Sequence, residues 1–560
     1  MNDSDKLINE LIELWADAYP VGGYSGGLEA WLGKLWTPTA DAIKSLNHRI
    51  HLTQPKLKLI ASPDLRGSAI KLLNSILTDF AYPLPDRQVS NCAQGVMYIL
   101  LKSDWRSELT VQFLKQTKKI VAFETEKWAG QSFSIERRKL CLETASELSA
   151  LLVNLQKQNP TLATLVDAVN SQLVGYKKLF DAPGLETEDF DKLFAIFECE
   201  TTGPTITPGY DSMLKDLYDL LDSPETIHKK NLAWLKEEMP LVRQTAQKVA
   251  EHLRLTTDSK VQVVYSAMSK HYAFGKNVLS KAATMMKAAN DYVAEFIQQI
   301  IGGVRLEEAP ADISSMITGG ATIPLNFFTD KPNEVVYLNP GKNASKMTTL
   351  NVLCHEYTHA WQAGMAARNR RSPLLRVQST LIVPIAESMA FYREWECYAA
   401  AAKLLGSSRL TPVEQAYLNI FGSTRAQQQH GVTAFELETR IWRVIRFLRA
   451  IFDVTVNRGK QSYVDFIIWA SAETQLSKEF IHSQCFSFLA MPGYAPAYAI
   501  CGQQYRDLQL ADCKQGVPQK LFNTLVCKMG YYPWTISVSK IEKFPKREIA
   551  PDRDKFCDEQ

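Results

Sequence analysis

The sequence predicts a mainly α-helical fold with a small β element. From residue 4 to about residue 302, apolar side chains recur at three- and four-residue spacing, as in the leucines of segment 148–155. This spacing is that of amphipathic helices. Between residues 317 and 340, β-branched and aromatic residues are bounded by Gly, Pro, Asn and Asp, which predicts two short strands. Helical periodicity resumes at Thr348 and continues to about residue 510.

These changes of pattern divide the chain into three regions. Residues 1–302 are expected to be mostly helical, residues 303–510 to hold the short strands followed by further helices, and residues 511–560 to form a less regular C-terminal segment. A chain of 560 residues has room for two to four domains, or for one large helical body around a single deep cleft.

Neither the charge nor the hydropathy pattern indicates a nucleic-acid-binding or membrane-spanning protein. Lysine plus arginine number 63 and aspartate plus glutamate 60, so the formal net charge is +3, and there is no long basic run. Even the apolar stretch of residues 441–456 is interrupted by three arginines, whereas a bilayer requires roughly 20 apolar residues. We therefore expect no nucleic-acid partner and no membrane span.

The N-terminus and the cysteines favour a cytoplasmic protein. The first fifteen residues begin polar and acidic, and they lack the basic start and apolar core of a secretory signal. The ten cysteines are scattered without a C-x-x-C pair, which is typical of reduced, buried thiols. We expect a cytoplasmic location, with delivery outside the cell by a route that needs no cleavable signal peptide as the alternative.

Two histidines with metal-ligand spacing lie in an apolar helical run. His355, Glu356 and His359 form an H-E-x-x-H motif. Residues four apart project from one face of a helix, so the two imidazoles can share one metal ion. The glutamate between them can accept a proton from the attacking water. The motif therefore predicts a metal-dependent hydrolase with Glu356 as the catalytic base.

A metal site of this type needs a third protein ligand, and Glu387 is the candidate. It lies in the otherwise apolar segment 384–392, where an unpaired carboxylate would be costly and a metal would stabilise it. A buried ion pair with an arginine or histidine is the alternative. Glu394 lies two helical turns, roughly 10 Å, further along the same helix, so the two carboxylates cannot both bind one ion. Glu394 is instead expected to orient a histidine.

Four motifs follow one another between residues 319 and 510: HEYTHAWQ, AESMAFY, RVIRFLRAIFD and MPGYAPAYAICGQQYRDL. Their order and spacing resemble the bacterial gluzincin-like family known as domain-of-unknown-function family 885. The resemblance implies a zincin-like fold, a large and mostly helical body with a central cleft, similar to zinc oligopeptidases and carboxypeptidases. It implies His355, His359 and Glu387 as the ligands of one Zn²⁺ ion and Glu356 as the base. The predicted activity is hydrolysis of a peptide or protein substrate.

The resemblance also singles out two tyrosines in the PGYAPAY segment. A hydroxyl beside the metal can stabilise the oxyanion of a tetrahedral intermediate, and Tyr498 is the preferred candidate for this role. Tyr494 is the reserve candidate and is placed in the substrate-binding group. Aromatic packing after the Pro-Gly turn is the alternative for both.

Four arginines recur every three residues from Arg440 to Arg449, and any of them could bind a substrate carboxylate. Arg449 is the one carried forward as a substrate-binding candidate, and a solvated helix face is the alternative for the whole stripe. Asp453, four residues after Arg449, is expected to act as a supporting partner in the site or to pair with that arginine.

A strand edge could flank the cleft upstream of the histidines. Segment 334–339, which contains Tyr337, could take up an extended peptide by main-chain hydrogen bonds. Gly319 and Gly320 would allow the backbone to approach closely. A small capping sheet without a role in substrate binding is the alternative.

Three other functions remain as alternatives. Segment 23–27, GYSGG, fits the G-x-S-x-G of serine hydrolases, but it follows a helical segment rather than the strand that motif requires. Two histidines and a carboxylate could hold iron for oxygen chemistry, although this leaves Glu356 without a task. A catalytically inactive helical interaction protein that retains the peptidase fold is the third alternative.

Overall fold

A computed structural model describes residues 3–199, 205–256, 259–300, 303–317, 319–329, 332, 334–341, 345–368 and 372–544. Residues 545–560 of the predicted C-terminal segment lie outside the described residues. Within the described ranges the chain is mainly helical and carries one small sheet, which confirms the fold class predicted from the sequence.

The N-terminal half is helical throughout its described part, as the periodicity predicts. Its α-helices are α1 (Asp3–Ala18), α2 (Pro20–Ser25), α3 (Ala40–Thr53), α4 (Pro63–Ala81), α5 (Arg87–Lys102), α6 (Glu108–Trp128), α7 (Ile135–Gln158), α8 (Ala163–Phe180), α9 (Phe190–Cys199), α10 (Tyr210–Ser212), α11 (Pro224–His252), α12 (Val261–His271) and α13 (Val278–Tyr292). π-helical turns at Met213–Leu217 and Val293–Ile297 continue α10 and α13.

A three-stranded sheet lies between the two helical halves in the sequence. Its strands are β1 (Arg305–Glu308), β2 (Gly320–Thr322) and β3 (Val335–Leu338), in the order β1-β3-β2. β3 pairs in parallel with β1 and antiparallel with β2. The two strands predicted between residues 317 and 340 are confirmed, whereas β1 was not predicted because its sequence, RLEE, is charged and lies at a partly exposed edge. β3 is central and buried, so the interpretation of segment 334–339 as a strand edge is wrong.

The second half is again helical. Its α-helices are α14 (Lys346–Ala367), α15 (Val383–Gly406), α16 (Pro412–Leu418), α17 (Arg425–Val456), α18 (Tyr463–Thr474), α19 (Lys478–Cys485), α20 (Gly502–Lys514), α21 (Gln519–Met529) and α22 (Trp534–Ile541). A π-helical turn, Ala497–Cys501, leads directly into α20. The C-terminal segment predicted to be less regular therefore contains two helices, α21 and α22, whose apolar residues pack on a buried cluster with α15.

Local sequence signals explain where two of the central helices begin. Thr424 accepts a hydrogen bond from the backbone amide of Gln427, whose side chain accepts one from the amide of Thr424, and this capping box starts α17. Pro384 lies in the first turn of α15, where its missing N–H would have no helical partner. Both helices, together with α14, are buried on most faces. Polar side chains on them must therefore find partners inside the protein.

One continuous cluster of buried apolar side chains joins the two halves of the chain. It includes Val96 and Leu152 from the N-terminal region and Leu353 and Ile445 from the region of the histidine motif. The two regions thus share a core, and the N-terminal helices support the site region directly.

None of the described helices is long and apolar enough to cross a membrane.

Candidate metal centre

Two histidines of α14 and one glutamate of α15 converge on one point. The Nε2 atoms of His355 and His359 are 3.0 Å apart, because the two residues lie one turn apart on the same helix face. Oε2 of Glu387 lies 3.2 Å from Nε2 of His355 and 3.5 Å from Nε2 of His359. In the described part of the chain, these are the three side chains whose ligand atoms lie close enough together to share an ion. The structure thus brings together the three residues that the sequence analysis selected.

The geometry of these three atoms fits a metal ion. Tetrahedral ligands roughly 2.0–2.1 Å from a zinc ion lie about 3.3 Å from one another, close to the three separations observed. Oε2 of Glu387 is buried and makes no hydrogen bond of acceptable geometry with any described group. A buried carboxylate oxygen that faces two imidazole nitrogens without a well-formed hydrogen bond needs a positive charge, which either a protonated histidine or a cation bound between the three atoms can supply.

Glu394 orients His355, as the sequence analysis expected. Its Oε1 atom lies 2.8 Å from Nδ1 of His355, which turns Nε2 of the same ring toward the other two ligand atoms. Glu394 is fully buried, and its charge is balanced by Arg446, whose Nη2 donates to Oε1 over 2.5 Å. Asn351, one turn before His355 on α14, donates to Oε2 over 3.0 Å. The carboxylate therefore has a defined partner for each oxygen.

The charges of the site depend strongly on one another. Burial acts to lower the pKa of His355, but the carboxylates of Glu387 and Glu394 outweigh it and raise this pKa to about 9. Burial acts to raise the pKa of Glu387, but the two histidines keep it well below its usual range. The pKa of Glu394 is likewise lowered, because Arg446 and His355 outweigh its burial. The centre thus keeps the carboxylates of Glu387 and Glu394 negatively charged, because each faces positively charged or hydrogen-bond-donating partners.

The carboxylate of Glu356 is held by strand β2. The backbone N–H of Thr322 donates to Oε2 of Glu356 over 2.7 Å, and the Thr322 hydroxyl donates to the Glu356 carbonyl over 2.6 Å. Gly320 allows this contact, because a Cβ there would lie 2.9 Å from Val352 and 3.4 Å from Glu356 Cγ. Gly320 thus lets β2 approach the motif helix closely, whereas its predicted role in binding substrate stays a prediction. Gly319 instead pairs with the sheet, where its carbonyl accepts a hydrogen bond from the backbone of Asn339.

Tyr494 contacts Glu387 directly. Its hydroxyl donates to Oε1 of Glu387 over 2.5 Å, and Oε2 of the same carboxylate faces the two histidines. The loop that carries Tyr494 is held by Asp453, which accepts hydrogen bonds from the backbone N–H of Gly493, the hydroxyl of Tyr210 and the amide of Asn457. Asp453 therefore supports the site through this loop and is not paired with the arginine four residues before it.

Tyr498 lies beside Tyr494 and near His355. Its ring centroid is 6.3 Å from that of His355, 5.6 Å from that of Tyr494 and 5.7 Å from the guanidinium carbon of Arg446. Burial and the charge of Glu387 raise the pKa of Tyr498, so its hydroxyl keeps its proton at neutral pH. Tyr498 belongs to a π-helical turn, a feature often found at functional sites because it displaces side chains from the regular helix positions.

The arginine stripe of α17 is not a solvated face. Arg443 and Arg446 are buried, and Arg440 and Arg449 are half-buried. Arg440 and Arg443 both bind Glu238 of α11, at 2.5 Å and 3.3 Å. Because Arg446 binds Glu394, three of the four guanidinium groups hold carboxylates of the protein itself.

A large cavity reaches the centre at Tyr494, whereas the three candidate ligands do not line it. It has a volume of about 1030 Å³ and shares Tyr494 with the site. Most of its wall comes from the N-terminal half, including Trp36, Arg87, Tyr98 and Glu147, and Phe327 lies on the side of the sheet. A cavity of this size and mixed polarity is typical of ligand sites.

Two other predicted features lie elsewhere. Tyr337 of β3 lines a separate pocket with Tyr24 and Lys102, so its assignment to the substrate group is not supported by contact with the centre. In segment 23–27, the hydroxyl of Ser25 donates to the carbonyl of Gly22 within α2. The helical setting confirms that the strand expected of a serine-hydrolase motif is not present at this position.

Two contacts of the site were not predicted. Asn351 could have been noticed, because it is a polar residue in an apolar helical run and lies four residues before His355 on the same face. Thr322 could not, because its contact with Glu356 depends on where β2 packs and no spacing in the sequence encodes it.

Neither a protein-family model nor a curated protein matches the chain. Two solved structures are similar to nearly all of it. A proposed lipoprotein from Colwellia psychrerythraea has a TM-score of 0.66 and 12% identity, covering 96% of this chain and 98% of that chain. A proposed lipoprotein of unknown function from Shewanella oneidensis has a TM-score of 0.67 and 11% identity, covering 97% of this chain and 100% of that chain. At these identities, the likeness shows that the chain shares their large, mainly helical fold.

Proposed function

We propose that the chain is a zinc-dependent metallopeptidase of the gluzincin type. The observation that carries the proposal is the convergence of His355 Nε2, His359 Nε2 and Glu387 Oε2 within 3.0–3.5 Å of one another, with the carboxylate oxygen lacking a hydrogen bond. Two imidazoles and one carboxylate are a common ligand set of catalytic zinc. A zinc ion bound by them would supply a Lewis acid that polarises the scissile carbonyl and makes water a stronger nucleophile at neutral pH.

Glu356 is the proposed general base. Its position between the two histidines directs its carboxylate to the same side of α14 as the ligands. The Thr322 amide fixes one carboxylate oxygen, so the other can accept the proton of the attacking water and then deliver it to the leaving amine. The fixed oxygen limits rotation of the group, which lowers the cost of orienting it for proton transfer.

The two tyrosines take different roles in this proposal. Tyr494 keeps Glu387 in position through its 2.5 Å hydrogen bond, so it acts on the ligand. The hydroxyl of Tyr498 remains the candidate donor to the oxyanion that forms from the scissile carbonyl. Arg446 lies near the Tyr498 ring, and its charge is balanced by Glu394.

The adjoining cavity supports a peptide as the substrate. Its volume of about 1030 Å³ lies at the upper end of ligand sites, and it is walled by helices of the N-terminal half. An extended oligopeptide fits such a space, and we infer that the N-terminal helices determine which residues of the peptide are accepted.

The test combines metal analysis with activity on a mixture of synthetic peptides. The wild-type protein should hold one zinc ion per chain, cleave peptides and lose both properties after treatment with a chelator, with recovery on adding zinc. The Glu356→Gln variant, which keeps the ligands, should bind zinc without cleaving. Zinc binding without cleavage by the wild-type protein would favour the inactive interaction protein, and preferential binding of iron would favour a non-peptidase metal-dependent enzyme.

A further inference from the structure

Arg449 differs from the other three arginines of its stripe. The guanidinium groups of Arg440, Arg443 and Arg446 each lie within 3.3 Å of a glutamate oxygen. Among the described residues, Arg449 has no carboxylate within ion-pair distance; its Nε and Nη2 atoms instead donate to the backbone carbonyl and the side-chain oxygen of Gln484, at 2.7 Å and 2.8 Å. Neutral acceptors satisfy two of its donors but leave its charge uncompensated.

The position of Arg449 relates it to the metal centre. It lies three residues after Arg446, on the neighbouring turn of α17, and its guanidinium carbon is 4.5 Å from the ring centroid of Phe488. Burial and Arg446 lower the pKa of Arg449, whereas Tyr498 and Glu387 raise it. The Phe488 ring centroid in turn lies 5.9 Å from that of Tyr494 and 6.3 Å from that of Tyr498, so Arg449 is one side chain away from both tyrosines of the centre.

A half-buried positive charge without a counter-ion is costly, and a second guanidinium nearby raises the cost. The protein offsets this cost at Arg440, Arg443 and Arg446 with its own carboxylates. At Arg449 the contacts with Gln484 occupy the edge formed by Nε and Nη2, so the N–H groups of Nη1 remain for another acceptor. A bound anion would compensate the charge of Arg449 in the same way that Glu394 compensates the charge of Arg446.

We propose that Arg449 binds a carboxylate of the peptide substrate and makes the enzyme selective for anionic peptides. The proposal rests on the peptidase function proposed above, since the carboxylate belongs to the peptide substrate of that enzyme. The carboxylate can be the free C-terminus of the peptide or the side chain of an aspartate or glutamate. Gln484 positions the guanidinium, and Phe488 covers one of its faces.

The test measures binding without turnover, using the full-length Glu356→Gln protein loaded with zinc and isothermal titration calorimetry. Four matched probes separate the sources of the carboxylate: an alanine tetrapeptide with a free C-terminus, the same peptide with a C-terminal amide, and amidated peptides with an internal Asp or Asn. We expect at least one carboxylate probe to bind roughly ten- to hundredfold more tightly than its amide partner, the range expected of hydrogen bonds to charged groups.

Arg449→Met in the same background should remove this difference, and Arg449→Lys should retain part of it because the charge remains. Arg440→Met is the matched control: it removes another half-buried arginine of the stripe, one paired with Glu238 and Glu436, and should leave the difference unchanged. Thermal unfolding monitored by circular dichroism verifies that each variant is folded.

Equal affinities for acid and amide probes, or a preference that persists in Arg449→Met, would overturn the role of Arg449 and leave the peptidase proposal standing. An Arg449-dependent preference in a protein whose wild-type form cleaves no peptide would support the anion site and refute the peptidase. The two failures are therefore distinguishable.

Discussion

Nδ1 of His355 lies 2.8 Å from Oε1 of Glu394, a residue seven positions after Glu387 on the same helix. Helix α15 therefore contacts His355 twice: Glu387 faces its Nε2 and Glu394 its Nδ1. Seven residues correspond to two turns, so both carboxylates project from the same face of α15. The ring of His355 lies between them and is fixed from both sides.

This arrangement predicts a ranking of zinc affinities. Glu387→Ala should weaken zinc binding far more than Glu394→Gln, which should weaken it by roughly 10- to 100-fold because the histidine loses its orienting partner. Competition with a chromophoric chelator measures both. Glu394→Gln alone leaves the buried Arg446 unpaired, which costs about 3–5 kcal/mol of folding stability. The double variant Glu394→Gln/Arg446→Met removes this arginine and is therefore the control. The reverse ranking would assign the ligand role to Glu394.

Replacing Glu356 by glutamine should abolish peptide cleavage and leave zinc binding nearly intact, because an amide cannot accept the proton of the attacking water. The supporting contact can be tested separately. The backbone amide of Thr322 points away from β3 and holds Glu356. Thr322→Pro removes this amide and should lower turnover by roughly ten- to hundredfold. Thr322→Val keeps the amide and serves as the control. Full activity in Glu356→Gln would contradict the proposed mechanism.

The two tyrosines should respond differently to loss of the hydroxyl. Tyr498→Phe should lower the turnover number by roughly two to three orders of magnitude with little change in zinc affinity. Tyr494→Phe should weaken zinc binding, because Oε1 of Glu387 loses its donor. Steady-state kinetics at saturating zinc and chelator competition separate the two effects. If Tyr498→Phe retains the wild-type turnover number, the oxyanion donor must be another group.

A histidine outside the candidate metal centre, His482, should make folding stability sensitive to acid. Burial and Lys139 lower the pKa of His482 to about 4, and its Nδ1 lies 2.6 Å from the hydroxyl of Tyr463. The folded state thus keeps this ring neutral, whereas the unfolded chain takes up the proton below about pH 6.5. The neutral ring of His482 therefore stabilises the folded state fully above pH 6.5, and this stabilisation is lost as the pH falls. The loss in unfolding free energy amounts to roughly 3 kcal/mol near pH 4.

The measurement for His482 is urea unfolding of the wild-type protein and of His482→Phe between pH 4 and 8. The variant has no titrating group at this position and keeps the aromatic contact with Phe486. The difference in unfolding free energy between the two proteins should therefore shift against the wild type as the pH is lowered. A difference that is constant across this range would show that His482 titrates normally in the folded state.

Helical geometry explains why the convergence of His355, His359 and Glu387 could be predicted. The spacing of His355 and His359 fixes their shared face, and the apolar surroundings of Glu387 mark a carboxylate that needs a partner. The same reasoning placed Glu394 on a histidine, which the structure confirms. In these cases the relevant distance is set within one helix or between two adjacent ones.

Contacts between distant segments were predicted less well. Segment 334–339 was taken for a strand edge, but the order of strands depends on pairings that local sequence does not encode. Of the two alternatives for Asp453, pairing with Arg449 does not form, because Asp453 instead accepts hydrogen bonds from Gly493 and Asn457 and supports the tyrosine loop. For the arginine stripe, a solvated helix face was the alternative to substrate binding. The ion pairs with Glu238 could not be predicted, because that carboxylate lies about two hundred residues away in the chain.

Helix α17 carries Arg446, Arg449 and Asp453 within seven residues, a length of roughly 10 Å. These residues reach the histidine-orienting carboxylate, the uncompensated cationic position and the tyrosine loop, respectively. A single inserted or deleted residue between positions 446 and 453 would rotate one end of this segment by about 100° relative to the other and break its register with the site. A point substitution at one of these positions removes one contact, whereas a change in length makes the contacts on either side of the change mutually incompatible.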